Sequence, residues 1–254
     1  MRVLKPLCIA FSIYSQLPVP QFQWKDDDMR YMLCFFPWIG AVIGGLLYLW
    51  FLISECLGIG IMCSTLFGAA IPLLVTGGFH VDGFMDTMDA FHSYQPKERK
   101  LEILKDPHIV AFSVIMLAVY GLIFLAALSE VKSSNLIKAI CVGFFLSRAL
   151  SGIGVVTFKS AKNDGLLFQF ANSAHKTRVR TLLYVECVFA VLVMAMMAGI
   201  SGICIAVTAF GVFGYYYVKC MKELGGITGD TAGYFVTVCE LAVVVVAAVI
   251  ELLR

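Results

Sequence analysis

A chain of 254 residues with 60% apolar and only 14% charged positions, and a mean hydropathy of +0.89, carries several apolar runs long enough to cross a bilayer core of about 30 Å. This composition places it among polytopic membrane proteins. The formal charge of +2, without an aromatic-interleaved basic stripe, excludes nucleic acid as a partner. The nine cysteines are scattered, with no C-x-x-C and no paired histidine spacing, which excludes a zinc site and leaves them as core or lipid-facing residues.

Residues 1–30 form a polar, interfacial entry that ends in Lys25, Asp26, Asp27, Asp28 and Arg30. The segment reads as retained, because Pro18 and Pro20 follow its short apolar run and no small-x-small cleavage site is visible. The first span is expected over about 31–53, with Trp38 and Trp50 suited to interfaces, and the second over 57–76, leading without a break into an acidic stretch. Further spans follow near 109–129 and 136–158, then 181–199 and 202–218 around a Gly-Ile-Ser-Gly turn, and finally 231–253. The expected fold is therefore all-α: a transmembrane bundle of about seven helices forming one domain over 1–254, with polar loops at 79–108, 159–180 and 219–230.

Lysine and arginine cluster on the cytoplasmic side of membrane proteins. Here fifteen fall in connections on one side and two on the other, with Lys138 and Arg148 inside a span. That pattern predicts a cytoplasmic N-terminus and puts all three polar loops on the cytoplasmic face.

The acidic stretch, TGGFHVDGFMDTMDAF at 76–91, holds His80, Asp82, Asp86 and Asp89. On a helix the three aspartates fall within about 60° of one another, and like charges on one face ask for a cation between them. A carboxylate-only set suits a hard cation such as Mg²⁺, which bridges carboxylates to substrate phosphates and stabilises charge during phosphoryl transfer. The plainer reading is a solvated helix start whose acids complement the dipole. His80 reads as a general base, a substrate contact or an interfacial histidine. The stretch PKERKLEILKD suggests an interfacial helix, after which Lys105 and Asp106 stand just before the third span.

Arg148 is the one guanidinium inside an apolar span, which marks either a functional group or a structural pair with Glu186 or Glu240. The loop at 159–180 adds five basic residues beside Asn163, Asp164 and Gly165. In GGITGD, at 225–230, Gly225, Gly226 and Gly229 permit close backbone approach, while Thr228 and Asp230 offer oxygen ligands at the start of the last helix.

GGFHVDGFMDTMDAF resembles the central motif of the cobalamin synthases, the adenosylcobinamide-GDP ribazoletransferases. YSQLPVP, FFPWIGAVIGG, LKDPHIVAF, SRALS and GGITGD resemble further motifs in the family's order. Gln16 stands where the family often has a basic residue, and Val110 where a glycine is common. The resemblance implies that adenosylcobinamide-GDP and α-ribazole, or its 5′-phosphate, are joined with release of GMP in a bacterial cytoplasmic (inner) membrane. It implies Asp82, Asp86, Asp89 and Asp230 as ligands of Mg²⁺, and His80 or an aspartate as acceptor of the hydroxyl proton. Arg148 or Lys105 would meet phosphate oxygens, and Asp106, Asn163, Gly225, Gly226, Thr228 and Gly229 are further candidate substrate contacts. Association into a homo-oligomer stays open. A cation-coupled transporter and a CDP-alcohol phosphotransferase-like enzyme are the alternatives. The first lacks an inverted repeat of the acidic motif, and the second lacks its D-G-x-x-A-R core.

Overall fold

The computed structural model describes residues 4–20, 25–106, 108–162 and 164–254. Apolar runs set the helices, and Gly58, Gly77, Gly199 and Gly225 each end one of them. In chain order these are α1 (Leu4–Tyr14), α2 (Asp26–Met29), a 3-10 turn (Met32–Phe35), α3 (Phe36–Leu57), α4 (Ile61–Thr76), α5 (Phe79–His92) and α6 (Lys97–Ile103). They continue with α7 (Ala111–Glu130), α8 (Ser134–Thr157), α9 (Leu166–Ser173), α10 (Lys176–Ala198), α11 (Ile200–Leu224) and α12 (Gly229–Leu252). Among the described residues there is no strand, only a single parallel bridge between Ser160 and Ile227.

Six of these helices, the unit Met32–Leu57 together with α7, α8, α10, α11 and α12, are long and apolar enough to span a membrane. The expected multi-pass helical bundle is what the chain forms. The second expected span is different. It does not run unbroken into the acidic stretch: α4 and α5 meet at 91°. Gly77 (φ 63°) and Gly78 (φ 79°) both take the left-handed conformation, which costs little only without a Cβ, so the chain turns sharply there. α4 is the apolar arm. α5, with its aspartates, is turned off that axis.

α8 is the central helix. It is buried along almost its whole length and packs against α3, α10, α11 and α12. Gly40 and Gly44 let α3 lie directly on it: a Cβ at Gly40 would stand 2.1 Å from the carbonyl oxygen of Phe144, and one at Gly44 2.4 Å from that of Cys141. Small residues at such crossings bring backbones close, where dispersion replaces the hydrophobic drive that lipid removes.

The loops are shorter than expected. α11 continues to Leu224 and α12 begins at Gly229, so the expected loop at 219–230 is a four-residue connection. The 159–180 region contains α9 and the first turn of α10, and the N-terminal entry contains α1. As the chain passes back and forth, α5, α6, the segment after α8 and the α11–α12 connection gather at the same end of the bundle.

Candidate active site

At that end lies a cleft of about 340 Å³ built from four separate stretches: Asp82 on α5, Lys105 after α6, Ser160, Lys162, Asp164 and Gly165 after α8, and Thr228 to Asp230 at the start of α12. Backbone pairing joins the last two. The N–H of Ala161 donates to the carbonyl of Ile227 at 2.8 Å, and the N–H of Ile227 donates to that of Lys159 at 2.9 Å. Gly226 makes this possible, because a Cβ there would fall 2.5 Å from the Lys159 oxygen. Thr228 then caps α12. Its hydroxyl accepts the Thr231 N–H at 3.2 Å, while the Thr231 hydroxyl accepts the Thr228 N–H at 2.8 Å. This leaves Asp230 in the first turn, where the helix dipole favours negative charge.

α5 lies directly on the same helix start. A Cβ at Gly83 would be 2.7 Å from the Asp230 carbonyl oxygen, so only glycine lets the two backbones touch. That contact brings Asp82 and Asp230 into one cleft although 148 positions separate them in the chain.

Charge in the cleft is poorly balanced on the acidic side. Partial burial, followed by the charges of Asp82, Asp230 and Asp89, pushes the Asp86 carboxyl up to about 6. Half-buried Lys162 is the nearby cation, and burial holds its ammonium below the usual lysine range against the pull of Asp230. Lys105 pairs with Asp164 at 3.0 Å on the exposed rim.

Several expected site residues stand elsewhere. Arg148 does not reach the cleft. It is 1% exposed in the bundle interior, where its Nη1–H donates to Glu240 Oε1 at 2.5 Å and to the Phe144 carbonyl at 2.9 Å. Of the two expected partners, Glu240 is the one that faces it, while Glu186 accepts from the Trp38 indole instead. Asp89 caps α7, accepting from the Ser113 N–H at 3.0 Å and the Val110 N–H at 3.3 Å. His80 turns toward the core and away from Asp82, and it is buried among aromatic rings. Asp106 is exposed and bonded to His108. Gly225 ends α11 in the left-handed conformation beside Lys97. Asn163 lies outside the described residues.

Lys162 and Ser160 were missed as site residues. Their only signal in the sequence is a basic residue and a hydroxyl beside Asn-Asp-Gly, in a loop whose charge already has a topological explanation.

The donor set suits a hard divalent cation. Among the described residues no three His, Cys, Asp or Glu side chains enclose a metal position. A cation such as Mg²⁺ needs no such cage, because it keeps several waters and takes one or two carboxylates together with substrate phosphates. Asp82 and Asp230, with the charge-burdened Asp86 alongside, meet that requirement.

Residues 6–248 match the family described as cobalamin-5-phosphate synthase. The chain belongs to the cobalamin-5-phosphate synthase family. A relative from Lachnoclostridium phytofermentans is 44% identical, over 98% of this chain and 97% of its own length. One from Clostridium perfringens is 32% identical over 97% and 98%, and one from Treponema denticola 31% over 94% and 96%. Each is named adenosylcobinamide-GDP ribazoletransferase. No solved structure matches this member of the family.

Proposed function

We propose that this chain joins adenosylcobinamide-GDP to α-ribazole, or to α-ribazole 5′-phosphate, and releases GMP. The observation that carries the reading is the cleft itself. It sets the carboxylates of Asp82 and Asp230 opposite Lys105 and Lys162 at one end of a membrane bundle, in a chain of the cobalamin-5-phosphate synthase family.

In the transfer, the ribazole 3′-hydroxyl oxygen forms a bond to the phosphorus attached to cobinamide. The bond from that phosphorus to the bridging oxygen breaks, and GMP leaves with that oxygen. The hydroxyl proton passes to a carboxylate of the cleft, for which Asp82 is the candidate. Positioning and charge stabilisation carry such a reaction. Lys162 and Lys105 attract the pyrophosphate oxygens, and the Thr228–Gly229 turn presents the α12 N-terminus to them. Asp82, Asp86 and Asp230 would hold Mg²⁺, which when bound neutralises pyrophosphate charge as the leaving group departs. Arg148 acts at a distance by tying α8 to α12.

The lysine and arginine count supports an orientation with the cleft facing the cytoplasm of a bacterial inner membrane, where both polar substrates are soluble. The test is purified protein in phospholipid vesicles given adenosylcobinamide-GDP and α-ribazole, with and without Mg²⁺, and assayed for GMP. Metal-dependent GMP release that disappears in Asp82→Asn is expected. Absence of turnover with every divalent cation tried overturns the reading.

A further inference from the structure

The end of the bundle away from the cleft holds a second polar site, which the transfer chemistry does not use. α3 and α7 run toward that end, and α4 and α8 start from it. Between them lies a cavity of about 320 Å³, lined by Glu55 from the last turn of α3 and Lys132 from the α7–α8 connection. Two opposite charges thus share one cavity. Neither side chain is ion-paired, with the other or with any described residue. Lys138, a further lysine near this end, sits over the Tyr48 ring instead.

The lining is layered along the spans. Glu55, Lys132 and Ser134 stand at helix ends, whereas Phe51 and Tyr48 lie about one and two turns further in along α3, and Ile137 about one turn in along α8. Leu52 and Ile61, both exposed, carry the apolar layer out to the face that meets lipid. Ser54, between the two layers, is 3% exposed, and its hydroxyl has no hydrogen-bond partner. Other span hydroxyls donate to a carbonyl one turn back, as those of Ser147 and Thr157 do at 3.0 and 2.6 Å. Buried polar atoms are normally paired, so Ser54 stands out. α4 and α8 both begin at the cavity without a capping side chain, and their first residues, Ile61 and Ser134, line it. Open helix starts favour anionic oxygens.

We propose that this cavity binds an ethanolamine phospholipid, a lipid whose headgroup joins a phosphate to a primary ammonium. The phosphate oxygens accept from the Lys132 ammonium beside the two helix starts, and the lipid ammonium donates to the Glu55 carboxylate. The Ser54 hydroxyl, one level deeper, donates to an ester carbonyl of the glycerol, and an acyl chain lies along Phe51, Leu52 and Ile61. The match is one of order: charges at the span ends, an ester-level hydroxyl beneath them, then hydrocarbon. Juxtamembrane charge and basic pockets between spans are the usual means of headgroup recognition. Here a carboxylate is added, which selects for a cationic tip. A glycerol headgroup brings no cation to Glu55, a choline headgroup brings one without an N–H, and a soluble phosphodiester leaves the apolar layer unfilled. The inference stands apart from the function proposed above, since it concerns the opposite end of the molecule.

The experiment is native mass spectrometry of the detergent-purified protein mixed with equal amounts of phosphatidylethanolamine, phosphatidylcholine and phosphatidylglycerol of identical acyl chains. Wild-type protein is expected to retain phosphatidylethanolamine about threefold or more above either competitor, the scale of one partly exposed ion pair. Equal retention of the three, or preference for another headgroup, overturns the proposal. Glu55→Gln should bring phosphatidylethanolamine down to the level of phosphatidylcholine, and Lys132→Gln should lower both. Glu130→Gln, which removes a carboxylate at the same end outside the lining, should leave the preference intact; an equal loss in that variant overturns the site in favour of general end charge. Should a variant fail to fold, the wild-type headgroup series decides. A tenfold excess of soluble glycerophosphoethanolamine separates lipid from solute. Retained lipid supports the proposal, and displaced lipid overturns it by making the occupant a soluble phosphodiester.

Discussion

Replacing Arg148 by methionine removes the guanidinium that faces Glu240 and leaves a carboxylate 7% exposed inside the bundle without its counter-charge. Two hydrogen bonds go with it, at 2.5 Å to Glu240 and 2.9 Å to the Phe144 carbonyl. Breaking a buried ion pair from one side costs about 3–5 kcal/mol, because the surviving charge keeps its desolvation penalty. Replacing both partners by apolar residues of similar volume is often neutral, or stabilising by about 1–4 kcal/mol. Arg148→Met alone should therefore lower the thermal unfolding midpoint and strip activity by loss of folded protein. The double variant R148M/E240M should recover both. Thermal unfolding in lipid, followed by GMP release per folded molecule, separates stability from turnover. A double variant as stable as the wild type yet inactive would refute the structural role and put Arg148 on the substrate.

Gly83→Ala drives a methyl group to 2.7 Å from the Asp230 carbonyl oxygen, so α5 must retreat from α12; turnover should fall more than about tenfold while the protein still folds, since overpacking of this kind costs about 1–3 kcal/mol. Asp89→Ala removes the cap of α7 and should cost about 0.5–2 kcal/mol of stability in a denaturation assay, with Asp89→Asn losing much less. Loss of turnover in Asp89→Ala without loss of stability would place Asp89 in the cation site instead. Asp86, with its carboxyl raised to about 6, holds a proton below that pH, and in the proposed cation site it would serve as a ligand only without that proton. The Mg²⁺ concentration for half-maximal GMP release should therefore climb as pH falls through about 6, and Asp86→Asn should flatten the profile.

Much of this molecule is legible in the sequence because lipid imposes a simple rule: apolar length becomes a helix, and the spans at α3, α7, α8, α10, α11 and α12 follow from it. The grouping of Asp82 with Asp230 comes from the family resemblance, which implies both as ligands of one cation, and not from any pattern that the two stretches share. Other features depend on rotation and packing that a linear pattern does not encode. The Gly77–Gly78 pair is visible, but whether two glycines bend a helix or pass through it depends on what α5 packs against, and here that is α12. Glu186 and Glu240 are equal candidates for Arg148 until the facing of α10 and α12 toward α8 is known. Asp89 shares a face with Asp82 and Asp86, yet the nearby α7 N-terminus claims its carboxylate. Lys162 was hidden for a different reason: the positive-inside pattern already accounted for its charge.

α4 is only 16 residues long before the chain turns through 91°. At 1.5 Å per residue it covers about 24 Å, against a hydrocarbon thickness of about 30 Å. The bilayer beside it must thin, or the helix must sit deep, at a cost of fractions of a kcal/mol per Å. Either response draws lipid headgroups down along the edge of the bundle where α5 and its aspartates lie. Acyl-chain length of the surrounding lipid thereby becomes a variable that acts at the rim of the cleft, through hydrophobic mismatch alone.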